Sequence, residues 1–324
     1  MYPVLTVLIG VLSSIMIAAN GSLTGRWGAF PATVIVHAVG VLFAFLLCLL
    51  CGKAGKEDRA QLWARRPLWM YLGGPLGVLM IVFQNIAYSS ISMTGVVALM
   101  LLGQTITSFL LDLMRSALGR KQGRPGNMLP GLLCALLGIW MLLDSSADGS
   151  GILAISLALG SGVVTIFSRE VNAGLALQVG ALRGSLVNHV TGLAAALVLA
   201  FMAGGPASFG NEACFPLAYL GGTFGVMIVL LYNMTVPRLS ALQVTLLVFT
   251  GQIFTGFLCD LLGGRSVSST SLYGGLIIAC GILVNLLLDW RDIVVKRRKE
   301  AYFQRIKDVE KAHWESVLGR KNDP

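Results

Sequence analysis

Two apolar segments of the chain carry amide, hydroxyl and carboxylate side chains at the same spacing. In the first segment, Gln104, Ser108 and Asp112 follow one another at intervals of four residues, and Thr107 lies beside them. Because an α-helix turns by about 100° per residue, these side chains share one face of a helix. Polar side chains within a membrane-spanning helix usually face the bundle interior or a cavity. The spacing therefore predicts a polar stripe that can hydrogen-bond a small solute.

The second segment repeats the first at an offset of 148 residues, and its stripe consists of Gln252, Thr255, Gly256 and Asp260. Seven of the eleven positions from 103 to 113 are identical to those from 251 to 261. Two interpretations of the repeated glutamine remain open: lining of a central cavity, or hydrogen bonding between helices, which contributes about 0.6 kcal/mol per pair. The candidate substrate-cavity residues are Gln104, Thr107, Ser108, Gln252 and Thr255.

Asp112 and its repeat Asp260 are candidates for gating or for coupling to an ion. Both come late in their apolar segments, so in a membrane they would lie near opposite faces. Asp112 precedes Arg115 by three residues, and Asp260 precedes Arg265 by five. We therefore expect ion pairs or gates at helix ends rather than proton transfer deep in the membrane.

His37 and His189 recur at an offset of 152 residues and complete the gating or coupling candidates. Imidazole titrates near neutral pH, so a role in coupling or substrate binding competes with a hydrogen-bonded packing role. Four asparagines also recur in pairs, and we interpret them as structural residues that cap helix ends. They are Asn20, Asn172, Asn85 and Asn233.

The elements that must position these residues are membrane-spanning helices. Hydrophobic residues make up 56% of the chain and charged residues only 12%, whereas soluble domains carry about 25% charged residues. Apolar windows of roughly 17–25 residues predict ten spans. They lie at 3–20, 31–51, 69–88, 94–114, 128–144, 151–168, 179–203, 216–236, 240–262 and 272–290.

The 24 basic residues follow the predicted spans rather than forming a nucleic-acid surface. Twenty-two lie in connections on one side of the membrane or in the C-terminal tail, and two, Arg26 and Arg265, lie on the other. Because basic residues concentrate on the cytoplasmic side, both termini are predicted to be cytoplasmic. The net charge of +9 is thus explained by membrane topology, and we expect the first helix to be a span rather than a cleaved signal.

The repeats divide the chain into halves of five helices each. Residues 1–146 form the first, residues 147–290 the second, and residues 291–324 a basic tail with the spacing of an amphipathic helix on the membrane surface. Because five is odd, the halves enter the membrane from opposite faces and are related by inversion. The connection between the second and third helices supports this, since it carries five basic residues and its counterpart has none.

These residues resemble those of the YdcZ-like inner-membrane proteins in the drug/metabolite transporter superfamily. The resemblance lies in the Gly-Gln…Phe-Leu-x-Asp stretches at 103–112 and 251–260, the aromatic-Leu-Gly-Gly segments at 71–74 and 219–222, and Asn-x-x-Leu at 20–23 and 172–175. Members of that group commonly have five helices, so this chain looks like two units fused head to tail. The resemblance implies a ten-helix transporter fold and export, but no substrate.

The chain also departs from related patterns. Small multidrug resistance proteins, a related group, use a glutamate in the first helix to exchange protons and substrate. Neither helix 1 nor the middle of helix 6 has an acidic residue here. The family tends to have asparagine four residues before the glycine of its second helix; Asn188 fits this pattern, whereas Val36 occupies the position in the first half. This difference predicts functional asymmetry between the halves.

The sequence contains no phosphate-binding loop, zinc-protease motif or nucleophile elbow, so we expect no enzyme, catalytic residue, metal or cofactor. The predicted function is a secondary transporter that exports a small organic metabolite or drug-like solute, with or without a coupling ion. The alternative is a non-transporting adaptor or sensor that acts through its basic tail. The expected location is the bacterial cytoplasmic (inner) membrane, with the lipid bilayer as partner and a monomer or homodimer as the assembly.

Overall fold

The computed structural model describes residues 1–51, 66–88, 93–119, 125–142, 152–204, 216–262, individual residues between 273 and 298, and 302–309. These residues are helical apart from short turns. The helices are α1 (Tyr2–Trp27), α2 (Ala29–Cys51), α3 (Gly73–Tyr88), α4 (Met93–Ala117), α5 (Pro125–Leu142), α6 (Ile152–Val179), α7 (Ala181–Met202), α8 (Gly221–Thr235) and α9 (Ala241–Leu262). Short 3-10 helices at Leu68–Tyr71 and Pro216–Leu220 precede α3 and α8.

The described helices confirm an all-helical, membrane-embedded chain. Five are long and apolar enough to cross a membrane: Tyr2–Trp27, Ala29–Cys51, Ile152–Val179, Ala181–Met202 and Pro216–Thr235. Shorter apolar stretches lie at Gly73–Gln84, Leu129–Gly138 and Ala241–Gln252. The predicted tenth span falls on residues of which only some are described, and those are helical. The count of ten spans therefore stays a prediction.

Glycine ends the first and sixth helices in the same way. Gly28 follows α1 with φ +78°, and Gly180 follows α6 with φ +88°. A residue without Cβ adopts this left-handed region at little cost, so the chain turns and begins the next helix at the following residue. The two glycines stand 152 residues apart, at matching positions of the two halves.

The predicted ends of the first and sixth helices, at residues 20 and 168, are wrong. Helix α1 continues to Trp27 and α6 to Val179. Hydropathy falls at the polar residues near those predicted ends, although the helices continue through them. Asn20 and Asn172 therefore lie inside helices and do not cap them, and Glu170 is not at a helix end.

Contacts between the N-terminal and C-terminal helices occur in matching pairs. Helix α1 packs against α8 and α9, and α6 packs against α3 and α4. Helices α2 and α7 pack on each other, as do α4 and α9. The apolar core follows these contacts, with Ile9 and Leu12 of α1 clustered with Val244 and Val248 of α9.

Glycines bring the helix backbones together at these crossings. Gly10 of α1 meets Gly251 and the carbonyl of Val248 in α9, where a Cβ would collide with the backbone. Gly162 of α6 meets Gly103 of α4 in the matching contact. In lipid, helices associate through close packing and interhelical hydrogen bonds rather than through burial from water. Gly74 and Gly222 make the second matching pair of crossings, against α7 and α2 respectively.

We predict that Gly10→Ala weakens the packing of α1 on α9. The added methyl group has no room unless the helices separate, and overpacking of this kind costs about 1–3 kcal/mol. The quantity to measure is the free energy of unfolding of the purified protein, titrated with sodium dodecyl sulfate.

Gly25→Ala is the matched control, because it lies in the same helix and a Cβ there meets no atom within 4 Å. It should leave the free energy of unfolding unchanged or raise it by up to about 1 kcal/mol, since alanine favours helix over glycine. Equal stability of the two variants would contradict the close contact at Gly10.

Candidate functional site

The two repeated histidines meet where α2 packs on α7. The ring centroids of His37 and His189 lie 5.9 Å apart, with the ring planes at 46°. Nδ1 of His37 lies 2.9 Å from the carbonyl oxygen of Thr33, and Nδ1 of His189 lies 2.8 Å from that of Ser185. A carbonyl only accepts, so each Nδ1 donates and Nε2 is the acceptor nitrogen of the neutral ring.

Each histidine ring packs over a glycine of the opposite helix. The ring of His37 covers Gly192 on α7, and the ring of His189 covers Gly40 on α2. A Cβ at either glycine would overlap the imidazole. Both histidines lie about 4 Å along the axis from the midpoints of their helices, at a rise of about 1.5 Å per residue. The structure therefore brings this predicted pair together at the middle of the α2–α7 contact.

The paired asparagines make contacts between helices. Asn172 lies against Gly73 at the start of α3, and Asn20 lies against Gly221 in the matching position at the start of α8. Asn172 Nδ2 donates to Asn188 Oδ1 at 2.8 Å. Asn20 Oδ1 is buried and has no hydrogen-bond partner among the described residues. The position that matches Asn188 is Val36, which has no polar group to offer Asn20.

Of the other asparagine pair, only Asn233 has a described side chain. Its Nδ2 donates to the carbonyl oxygen of Ala181 in the first turn of α7, at 3.0 Å. It therefore links α8 to α7. The side chain of Asn85 lies outside the described residues, although its backbone is in α3.

Asp112 does not form the expected ion pair with Arg115. Its carboxylate accepts hydrogen bonds from the backbone N–H groups of Ala241 and Leu242, each at 2.8 Å. The first N–H groups of a helix have no partner within the helix, so an acidic side chain there is stabilised by hydrogen bonds and by the helix dipole. Arg115 pairs instead with Glu170 of α6, at 2.6 Å. Asp260 lies in α9, with its side chain outside the described set.

The predicted polar stripe divides into two environments. Ser108 is fully buried, and its Oγ lies 2.7 Å from Oγ1 of Thr245 on α9. It therefore forms a buried contact between α4 and α9. Gln104 and Gln252 are half-buried, and neither side chain makes a hydrogen bond within the described part of the chain. Thr107 and Thr255 are also half-buried.

The buried arginine of α6 is not among the predicted site residues. The predicted spans put Arg169 in a cytoplasmic connection, whereas the structure buries it to 4% exposure inside the helix. Its guanidinium donates to Thr245 Oγ1 at 3.2 Å and to the carbonyl oxygen of Ala241 at 3.1 Å. The ring of Tyr232 faces it at 5.6 Å. The repeated glycine at the end of α6, Gly180, could have indicated that the helix continues past residue 168.

Titratable side chains of the described residues gather as ion pairs and hydrogen-bonded groups rather than as metal ligands. No group of three His, Cys, Asp or Glu side chains in this part of the chain could hold a metal ion.

The apolar helices and the polar groups buried between them define a membrane-embedded helical protein. The chain belongs to the family described as "putative inner membrane exporter, YdcZ", whose sequence profile matches residues 1–141 and 153–284. Membership of this family gives the chain a general role in transport across the inner membrane rather than in enzymatic catalysis.

The fold is shared with a solved protein. One crystal structure superposes with a TM-score of 0.67, covering 90% of this chain and 96% of the other at 18% sequence identity. At that identity the similarity concerns the fold alone. No curated protein matches the chain.

We predict that Asp112→Ala destabilises the protein, because it leaves two backbone N–H groups of α9 without acceptors. An unsatisfied buried donor costs about 1–3 kcal/mol. Asp112→Asn keeps one acceptor oxygen and should lose less stability than Asp112→Ala. The stability of both variants is measured as the free energy of unfolding in sodium dodecyl sulfate.

The control is Asp308→Ala, which removes an exposed carboxylate that accepts one hydrogen bond from Gln304. It should leave the free energy of unfolding unchanged. If Asp112→Ala were as stable as this control, the carboxylate would not hold the start of α9.

Proposed function

We propose that the chain is a secondary transporter that exports a small organic solute by alternating access. The proposed transporter consists of two inverted halves, residues 1–146 and 147–290, with ten membrane-crossing helices in total. The observation that carries the proposal is the matching of contacts between the halves. The contact of Gly10 with α9 has its counterpart in that of Gly162 with α4, and His37 over Gly192 has its counterpart in His189 over Gly40.

Matched contacts of this kind support alternating access. Two inverted repeats can exchange conformations, so that a site between them opens first to one side of the membrane and then to the other. The family profile also matches two segments of similar length, residues 1–141 and 153–284. Each half of the proposed transporter corresponds to one of these segments.

We assign Asp112 to the gate on the cytoplasmic side. Its carboxylate joins the C-terminal part of α4 to the first turn of α9, and so holds a helix of each half together at one end. The inverted repeat places Asp260 in the matching role at the opposite end. Breaking one of these contacts while the other forms would open the site to one side at a time.

The glutamine amides and the histidine pair are the proposed solute and coupling groups. Gln104 and Gln252 have unused donors and acceptors on α4 and α9, one helix from each half, which contact each other. His37 and His189 lie where the halves meet at α2 and α7, and each ring keeps Nε2 for a proton or a solute.

The proposed orientation places both termini in the cytoplasm. Removing the buried Arg169 from the basic connections leaves 21 basic residues on that side against 2 on the other, so the positive-inside bias is retained. Residues 302–309 of the tail are helical and exposed, as expected of a segment that contacts the membrane surface.

The double variant Gln104→Ala with Gln252→Ala should lose solute binding and efflux while remaining folded. Binding is measured as the rise in melting temperature of the purified full chain against a panel of metabolites and drugs, since a ligand of the folded state stabilises it by mass action. Each solute that stabilises the protein is then loaded into liposomes containing the chain, and its efflux is followed.

Ser108→Ala is the matched control on the same helix. It removes a packing hydroxyl, so it should lower the melting temperature without ligand and leave the ligand-induced rise intact. Full efflux by the double variant would exclude the two amides from the solute site.

Deletion of residues 291–324 should largely retain efflux. A protein that acted only as an adaptor through its tail would show no efflux, either as the full chain or after the deletion.

A further inference from the structure

We propose that Arg169 binds the anionic group of the exported solute, which makes small organic anions the substrate class. The anionic group is a carboxylate, phosphate or sulfonate. This inference rests on the proposed transport function and adds the chemical identity of the cargo. Four features of the described residues carry it: the burial of Arg169, its unpaired guanidinium nitrogen, the other partners of the neighbouring carboxylates, and the absence of an arginine from the matching position in the first half.

Arg169 is buried where α6 meets the first turns of α9. Its guanidinium reaches the carbonyl oxygen of Ala241, the residue at the start of α9 whose N–H group is bound by Asp112. The arginine is only 4% exposed. A buried arginine in a membrane protein is expensive unless it is paired, and residues of this kind commonly mark solute pathways.

The guanidinium is only partly satisfied by the protein. Its two terminal nitrogens donate to neutral oxygens of α9, those of Thr245 and Ala241, while Nε is buried with no acceptor among the described residues. A guanidinium has five N–H groups in a planar fork that matches a carboxylate or phosphate. The protein therefore leaves donor capacity for an anion.

The carboxylates nearest in the sequence and at the same helix contacts have partners other than Arg169. Both oxygens of Asp112 accept N–H groups from the start of α9. Glu170 pairs with Arg115 through Oε2, while its Oε1 is buried without a hydrogen-bond partner in the described part of the chain. No ion pair joins Arg169 to any acidic side chain in the described ranges. A solute anion would supply the missing negative charge, and Tyr232 would keep the guanidinium in place from the side.

The arginine is not required by the repeated fold. The matching position in the first half is Ile17, which is 41% exposed and apolar. The α1 contacts with α8 and α9 form without a charge at that position. A residue that only maintained the helix contacts would be expected in both halves, whereas a binding group is needed in one.

The experiment compares the affinity of the full-length chain in detergent for aromatic probes of matched size. Benzoate and phenyl phosphate are the anions, benzamide is neutral, and benzylamine is a cation. Melting temperature is followed against probe concentration for the wild type, Arg169→Gln and Arg169→Lys. Arg183→Gln is the matched control, because it removes the same charge from a half-buried position in α7.

We expect one or both anions to stabilise the wild type and Arg183→Gln, and benzamide and benzylamine to bind at least roughly tenfold more weakly. Loss of a charge-assisted hydrogen bond weakens binding by roughly tenfold or more, so Arg169→Gln should raise the apparent Kd of the anions by that factor. Arg169→Lys retains the positive charge but lacks the planar fork of N–H groups. Its apparent Kd for the anions should lie between those of the wild type and Arg169→Gln. The melting temperature without probe reports separately on the contacts of Arg169 with α9.

The proposal is overturned if neither anion stabilises the wild type, if benzamide or benzylamine binds as tightly as the anions, or if Arg169→Gln binds the anions unchanged. Its failure can be separated from failure of the transport proposal. Suppose that a neutral or cationic solute binds the wild type, does not bind the Gln104/Gln252 double variant and leaves liposomes through the wild type. The transport proposal would then stand, and small organic anions would be excluded as the substrate class.

Discussion

Direct contact between helix backbones at glycine is the constraint on which the other interhelical contacts depend. In a bilayer, burial from water does not drive one helix onto another, so packing and hydrogen bonds must hold them. At Gly10 and Gly162 the backbones of the two halves touch without side chains between them. Hydrogen bonds then join α4 and α9, the two helices held at these crossings: Asp112 of α4 accepts N–H groups that begin α9, and Ser108 lies against Thr245.

The polar residues then occupy positions where this close packing provides partners. Asn172 reaches Asn188 across α6 and α7, and Ser168 donates to the carbonyl oxygen of Gly73 at 2.7 Å. The histidines lie over glycines because an alanine there would displace the rings. Polar groups are thus concentrated between helices, as a chain in lipid requires, since a buried polar group without a partner is costly.

Sequence patterns predicted the positions of the nine described helices to within a few residues at most ends, because apolar length and repeated glycines are local features. They failed at α1 and α6, where Asn20 and Arg169 interrupt the hydropathy but are accommodated by other helices. The hydrogen-bond partners of Asp112 and Ser108 were not predicted. Their partners, Ala241 and Thr245, lie about 130 residues away, and a partner at that separation is set by the packing rather than by local spacing.

The two halves share a framework but differ in polarity at several matching positions. Arg169, Glu170 and Asn188 of the second half replace Ile17, Ala18 and Val36 of the first. The shared glycines and histidines maintain the contact between the halves, so they are matched. An inverted pair with identical polar groups would present the same chemistry to both faces of the membrane. Under the transport proposal, a fixed cation in the second half alone keeps the bound solute with that half while the first half moves around it, which gives the site a defined polarity despite its symmetric framework.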